Sequence, residues 1–191
     1  MGESPRKTQA FKVVLQKNYG TYTAGSTISL FGMWAHKLAA AWLAWDLTGS
    51  SFWVGFVAFA ELIPTLILMP FAGVLAERYD RLRLTIFSQI CGMAQSFALG
   101  WMALTGKFTE YSDVYWLVGW SAFLGIVWSI NTAARLSVVP NLVRRDDVPS
   151  AVALNSAIFN LARVVGPAMG GWIIAIWGIG EAFLFNSATC I

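Results

Sequence analysis

Apolar residues run along this chain in long blocks separated by short polar breaks. A helix that crosses the hydrocarbon layer of a bilayer needs roughly 20 mostly apolar residues. Tyr22–Leu47, Phe52–Ala76, Leu84–Leu104 and Val114–Ala134 each meet that requirement. A fifth block ends at Trp177 and starts at either Ala151 or Ile158, its beginning blurred by an amphipathic pattern. A sixth starts near Ala182 and meets Ile191 after about ten residues, too few to cross. The pattern predicts an all-α membrane protein: five full spans and a truncated sixth over residues 22–191, preceded by a polar segment, 1–21.

The breaks between blocks alternate in character. Thr48–Ser51, Gly106–Asp113 and Gly178–Glu181 are short and nearly free of cations. The N-terminal segment, Glu77–Arg83 and Arg135–Ser150 are basic. The basic set holds ten of the thirteen Lys and Arg: Arg6, Lys7, Lys12, Lys17, Arg78, Arg81, Arg83, Arg135, Arg144 and Arg145. Lys107 alone lies on the other side. Cytoplasmic loops carry the excess of Lys and Arg, so this split predicts a cytoplasmic N-terminus. Trp45, Trp53, Trp101, Trp116 and Trp177 fall at the opposite ends of the blocks, as an interfacial aromatic belt requires.

Composition agrees. Only 12% of residues are Asp, Glu, Lys or Arg, about half the usual share, while Trp and Phe number ten and thirteen. The net charge of +3 is accounted for by the basic loops, so no nucleic-acid partner is expected. Cys91 and Cys190, far apart in apolar blocks, are expected as free thiols. The polar start contains no apolar core of a signal peptide. A single histidine, His36, excludes a multi-histidine metal site. No phosphate-cradling loop, metal cluster or nucleophile elbow is present, so enzyme chemistry and cofactors have no support.

Ionisable residues inside spans are costly and are usually paired or functional. Lys37 lies about twelve residues before the Gly49–Ser50 turn and Glu61 about twelve after it. At about 1.5 Å per residue both sit near the bilayer middle, where an ion pair can form. Such a pair either holds two helices together or takes part in proton coupling through Glu61. His36, about 100° around the helix from Lys37, reads as a satisfied or cavity-lining histidine, and Asp46 as an interfacial or loop-tethering residue. Gln89, Gln95, Ser129 and Asn131 are expected to tie helices together by hydrogen bonds.

The fifth block, NSAIFNLARVVGPAMGGW, repeats small residues at Ala162, Gly166 and Gly170 on one face, a spacing that lets helix backbones approach closely in lipid. Pro167 removes an amide hydrogen and leaves the Arg163 carbonyl without its usual partner, so a bend is expected there. Asn155, Phe159 and Arg163 share a stripe expected to face the bundle interior.

Two stretches carry a family resemblance over essentially the whole chain. Gly73-Val74-Leu75-Ala76-Glu77-Arg78-Tyr79-Asp80-Arg81-Leu82-Arg83 resembles the major facilitator superfamily signature G-x-L-A-D-R-x-G-R-(R/K), placed between its second and third helices. Glu77 stands for the usual Asp and Asp80 for the usual Gly. Residues 162–171, from Ala162 through Gly166-Pro167 to Gly170-Gly171, resemble the fifth-helix antiporter signature G-x-x-x-G-P-x-x-G-G, with Ala162 in place of the first Gly. The surrounding phrases are similar to the branch of enterobactin-type siderophore and macrolide exporters. The basic residue that many drug antiporters place early in the fourth helix is absent ahead of Arg135, which shifts attention to Glu61 and Arg163.

The resemblance implies the N-terminal six-helix bundle of a twelve-helix transporter, each half an inverted 3+3 repeat, and hence a half-length fragment here. It implies an inner-membrane exporter of a small amphipathic molecule by proton antiport. Its partners are the substrate, protons, the bilayer and the missing C-terminal half. Gly73, Glu77, Arg78, Asp80, Arg81, Arg83 and Arg135 would form a cytoplasmic gate. Lys37, Glu61 and Arg163 would line or support the cavity. A non-transporting assembly or sensor subunit, or an importer of the same superfamily, are the alternatives.

Overall fold

The computed structural model describes residues 17–190, apart from the side chains of 17, 18 and 136–141. Arg6, Lys7 and Lys12 therefore lie outside the described residues, as does Ile191. Six α-helices follow one another: α1 (Lys17–Thr48), α2 (Ser51–Arg78), α3 (Arg81–Leu104), α4 (Val114–Leu142), α5 (Val148–Ile176) and α6 (Ile179–Thr189). Single 3₁₀ turns at Tyr111–Asp113 and Arg145–Asp147 lead into α4 and α5. The turn at Arg145–Asp147 and a proline in the first turn of α5 settle its start, ahead of both positions that the sequence left open.

Gly49, Gly106 and Gly178 have positive φ, and each lies in a turn on the face opposite the basic loops. On the basic face the α2–α3 turn is closed by a side chain instead. Asp80 Oδ1 accepts from the amides of Leu82 and Arg83 at 2.8 and 3.0 Å, capping α3. Its φ of −60° needs no glycine. That is a local reason for the departure from the family pattern at this position.

Ser51–Arg78, Tyr111–Arg135 and Arg145–Ile176 are long and apolar enough to cross a bilayer on length and composition alone. The other two expected spans, α1 and α3, reach 32 and 24 residues but are more polar. Their polar positions turn inward: His36, Ser88, Gln95 and Ser96 are all buried. Large apolar side chains such as Phe52, Phe71, Trp116 and Val164 point out, where lipid is the fitting solvent. Trp45, Trp101, Trp116 and Trp177 are also exposed at the expected helix ends.

Packing follows a regular exchange. α1 packs chiefly on α5 and α6, as α4 packs on α2 and α3, while α3 and α6 pack on each other. This is the neighbour pattern of two three-helix units related by a two-fold exchange. Bare backbone makes the contacts close. A Cβ at Gly166 would lie 2.5 Å from Trp34 Cβ, and one at Gly170 would lie 2.9 Å from Ala35 Cα. Thus the small face of α5 seats on α1, and Ala162 is fully buried with it. α5 is assigned as a single helix through Pro167, and α2 through Pro64 and Pro70. Between α3 and α6, a Cβ at Gly100 would meet Leu184 at 2.9 Å, and one at Gly180 would meet Leu104 at 2.8 Å. The contact is reciprocal, each glycine receiving the leucine one turn beyond the other.

A polar seam joins α1, α3, α4 and α6. Asn186 Nδ2 donates to Ser96 Oγ (2.7 Å), which sits 3.2 Å from His36 Nδ1. Asn131 Nδ2 donates to Ser88 Oγ (2.9 Å), and Gln89 Nε2 to Ser29 Oγ (3.1 Å). Gln95 reaches the Trp120 carbonyl at 3.5 Å, whereas Ser129 bonds within its own helix. His36 also stacks edge-on against Phe183, as a satisfied interior histidine does. Cys91 and Cys190 are free thiols.

Candidate functional site

The Lys37–Glu61 pair forms. Lys37 Nζ lies 2.7 Å from Glu61 Oε1, with the two side chains 33% and 15% exposed. The hairpin arithmetic that predicted it holds because α1 and α2 run unbroken on either side of a two-residue turn. A lone charge at this depth would carry a desolvation penalty of several kcal/mol, which pairing offsets.

Two contacts between α2 and α4 fix the backbone at Glu61. A Cβ at Gly125 would lie 2.1 Å from the Glu61 carbonyl oxygen, so the α2 and α4 backbones touch at this level. Thr65 Oγ1 spans the same contact, 2.9 Å from both the Glu61 and the Gly125 carbonyls. Neither residue was singled out in the sequence. A lone glycine inside a helix signals close approach without naming what approaches.

Lys37 and Glu61 line a cleft of about 330 Å³ with Val57, Ala58, Thr65 and Trp128. Trp128 is also a wall of a second cleft, of about 270 Å³, with Thr132, Arg135, Asn155, Phe159 and Asn160. Two of the three stripe residues, Asn155 and Phe159, therefore face a cleft, with Phe159 exposed. Arg163, one turn further on, lines neither; its Cζ lies 5.7 Å from the centre of the Trp34 ring. Trp34 and Trp128 escaped the sequence reading because its tryptophan argument concerned helix ends alone.

The residues expected to form a gate are spread along the basic face. Glu77, Arg78, Asp80 and Arg83 are exposed and Arg81 is half-buried. An added Cβ at Gly73 would meet nothing within 4 Å, so its smallness serves no contact among the described residues. Arg135 is half-buried and donates through Nη2 to Ser26 Oγ, tying α4 to α1. Gly171 is less crowded than its neighbours, 3.6 Å from Leu38 as judged by an added Cβ. Among the described residues no group of His, Cys, Asp and Glu is arranged to hold a metal ion.

Helices that exchange partners in threes around an internal ion pair, with apolar side chains turned outward, define a multi-pass bundle of the membrane-transport class. The chain belongs to the transmembrane secretion effector family of the major facilitator superfamily, whose model matches residues 8–191. Curated relatives include the staphyloferrin A transporter of Staphylococcus aureus, 29% identical over 85% of this chain and 41% of its own length. The uncharacterized MFS-type transporter YfiS of Bacillus subtilis is 29% identical over 91% of the chain and 40% of its own. The enterobactin exporter EntS of Citrobacter koseri is 28% identical over 77% of the chain and 31% of its own. The chain thus spans about two fifths or less of the length of these relatives. No solved structure matches it. The family is one of transporters, not enzymes.

Proposed function

We propose that the chain forms the N-terminal half-bundle of a proton-coupled exporter of siderophore-like molecules in the inner membrane, with its N-terminus in the cytoplasm. The observation that carries this reading is the Lys37–Glu61 pair on the wall of a cleft. A carboxylate paired to a lysine in a poorly solvated site can exchange its partner for a proton, and the exchange changes what holds α1 to α2. The family and the named substrates of two relatives support the cargo. The ten-to-one division of cations supports the orientation.

In this reading Glu77, Arg78, Arg81 and Arg83 form the cytoplasmic gate, with Gly73 leaving room for a helix of the second half. Asp80 holds the gate turn by capping α3. Arg135 serves the gate from the α4 side through Ser26. Gly166, Pro167 and Gly170, with Ala162 and Gly171, hold α5 closely against α1. The test is transport in everted vesicles carrying the complete transporter. Proton-driven accumulation of an iron chelator is expected for the native protein and is expected to be lost in Glu61→Gln. Full gradient-dependent transport by Glu61→Gln would refute the coupling role. Accumulation in right-side-out vesicles instead would reverse the direction.

A further inference from the structure

Trp34 lies at the centre of an arrangement that the ion pair does not explain. Lys37 Nζ is 5.6 Å from its ring centre and Arg163 Cζ is 5.7 Å away, so two cations address one indole. Phe159 packs edge-on against the same ring, with centroids 5.8 Å apart. The platform is held from behind by α5. Gly166 has no side chain, and that lets Trp34 Cβ seat against the helix. Its indole Nε1 is buried without a hydrogen-bond partner among the described residues.

The charges do not cancel. Glu61 neutralises Lys37. No described carboxylate pairs with Arg163, which is exposed and has the Trp34 ring as its neighbour. Arg135, in the adjoining cleft, is held by a serine hydroxyl. Three cations, Lys37, Arg135 and Arg163, and one carboxylate, Glu61, thus lie near Trp34, Trp128 and Phe159, Arg163 beside the clefts rather than in them. A guanidinium lying against an aromatic face is oriented by it and keeps its N–H edges for a second partner. Planar anions fit such a fork through two parallel, charge-assisted hydrogen bonds. Neutral amphiphiles gain only weaker, uncharged hydrogen bonds from it, and cationic ones are repelled.

We propose that Trp34, Arg163, Lys37 and Phe159 form a recognition platform for a planar, negatively charged substrate group, an aromatic carboxylate or phenolate. Arg163 binds the charge and the aromatic side chains bind the ring. This deepens the export reading and rests on it for the identity of the cargo, but the binding chemistry can be tested separately.

The test is equilibrium dialysis of the purified chain in lipid nanodiscs with salicylate, its neutral analogue salicylamide, and tetraphenylphosphonium as an aromatic cation. Salicylate is expected to bind more tightly than either of the other two. Arg163→Gln is expected to weaken salicylate binding by about tenfold or more and to leave salicylamide unchanged. Arg163→Lys, which keeps the charge without the fork, should recover part of the loss. Arg163 is exposed, so these variants should fold, and an unchanged melting curve checks that they do. Trp34→Phe, which keeps a ring, should weaken salicylate and salicylamide together. Equal binding of salicylate and salicylamide, or salicylate binding untouched by Arg163→Gln, would overturn the proposal. Charge-dependent salicylate binding with no proton-driven export of any iron chelator would leave the platform standing and sink the export reading alone.

Discussion

Replacing Gly125 by Ala tests how the ion pair is held. The added methyl would sit 2.1 Å from the Glu61 carbonyl oxygen, where ordinary contact begins at 3.4 Å. The obstacle is backbone, which cannot swing aside as a side chain can, so α2 and α4 must part by about 1 Å. Parting stretches the 2.9 Å bond from Thr65 to the Gly125 carbonyl and disturbs the backbone that carries Glu61. Overpacking of this kind costs about 1–3 kcal/mol, and a rigid obstacle puts the cost near the upper end. Alanine's better helix propensity returns about 1 kcal/mol. The expected net loss is about 2 kcal/mol. Gly92→Ala is the matched control: it lies inside α3 and its Cβ would meet nothing within 4 Å, so only the propensity gain remains. Both variants can be unfolded in mixed micelles by increasing SDS, followed by tryptophan fluorescence. If Gly125→Ala proves as stable as Gly92→Ala, the α2 and α4 backbones do not touch at Glu61.

Two further substitutions probe the turns and the short last helix. Asp80→Ala should cost about 1 kcal/mol and speed hydrogen exchange at the Leu82 and Arg83 amides, whereas Asp80→Asn should retain most of the cap. Unchanged exchange in the alanine variant would show that the cap is dispensable. Gly32→Ala should release α6, because its Cβ would lie 1.8 Å from Thr189 Oγ1, and Thr189→Ala in the same chain should restore much of the loss. Thiol labelling of Cys190 reads the release, and equal labelling of the single and double variants would contradict it.

The sequence made some of this legible and could not supply the rest, for reasons that lie in distance along the chain. The Lys37–Glu61 pairing was readable because a tight hairpin turns separation in sequence into depth in the membrane. The small face of α5 was readable as a close-packing surface from its four-residue repeat, though nothing in the repeat named Trp34 and Ala35 of α1 as what it packs on. The hydrogen bonds of Gln89, Gln95 and Asn131 were expected as a class of interaction, but their partners Ser29, Trp120 and Ser88 lie on other helices. Gly125, Thr65 and Trp128 were missed for the same reason: each gains its meaning from a helix remote in sequence. The depth of Arg163 was undecidable while the start of α5 was open. Once the Arg145–Asp147 turn fixes that start, the residue falls beside Trp34.

The neighbour exchange also has a mechanical consequence. Backbone contact at Gly166 and Gly170 fuses α1 to α5, and backbone contact at Gly125 fuses α4 to α2. Each fused pair forms one beam. α1 shares far less surface with α2 than with α5, so the joint between the two beams is thin, and Lys37 stands on one side of it and Glu61 on the other. The ion pair is thus a rivet between beams rather than a brace within one. Breaking that one pair loosens the joint while leaving both beams whole, so the angle between two rigid bodies can change without unfolding a turn of helix.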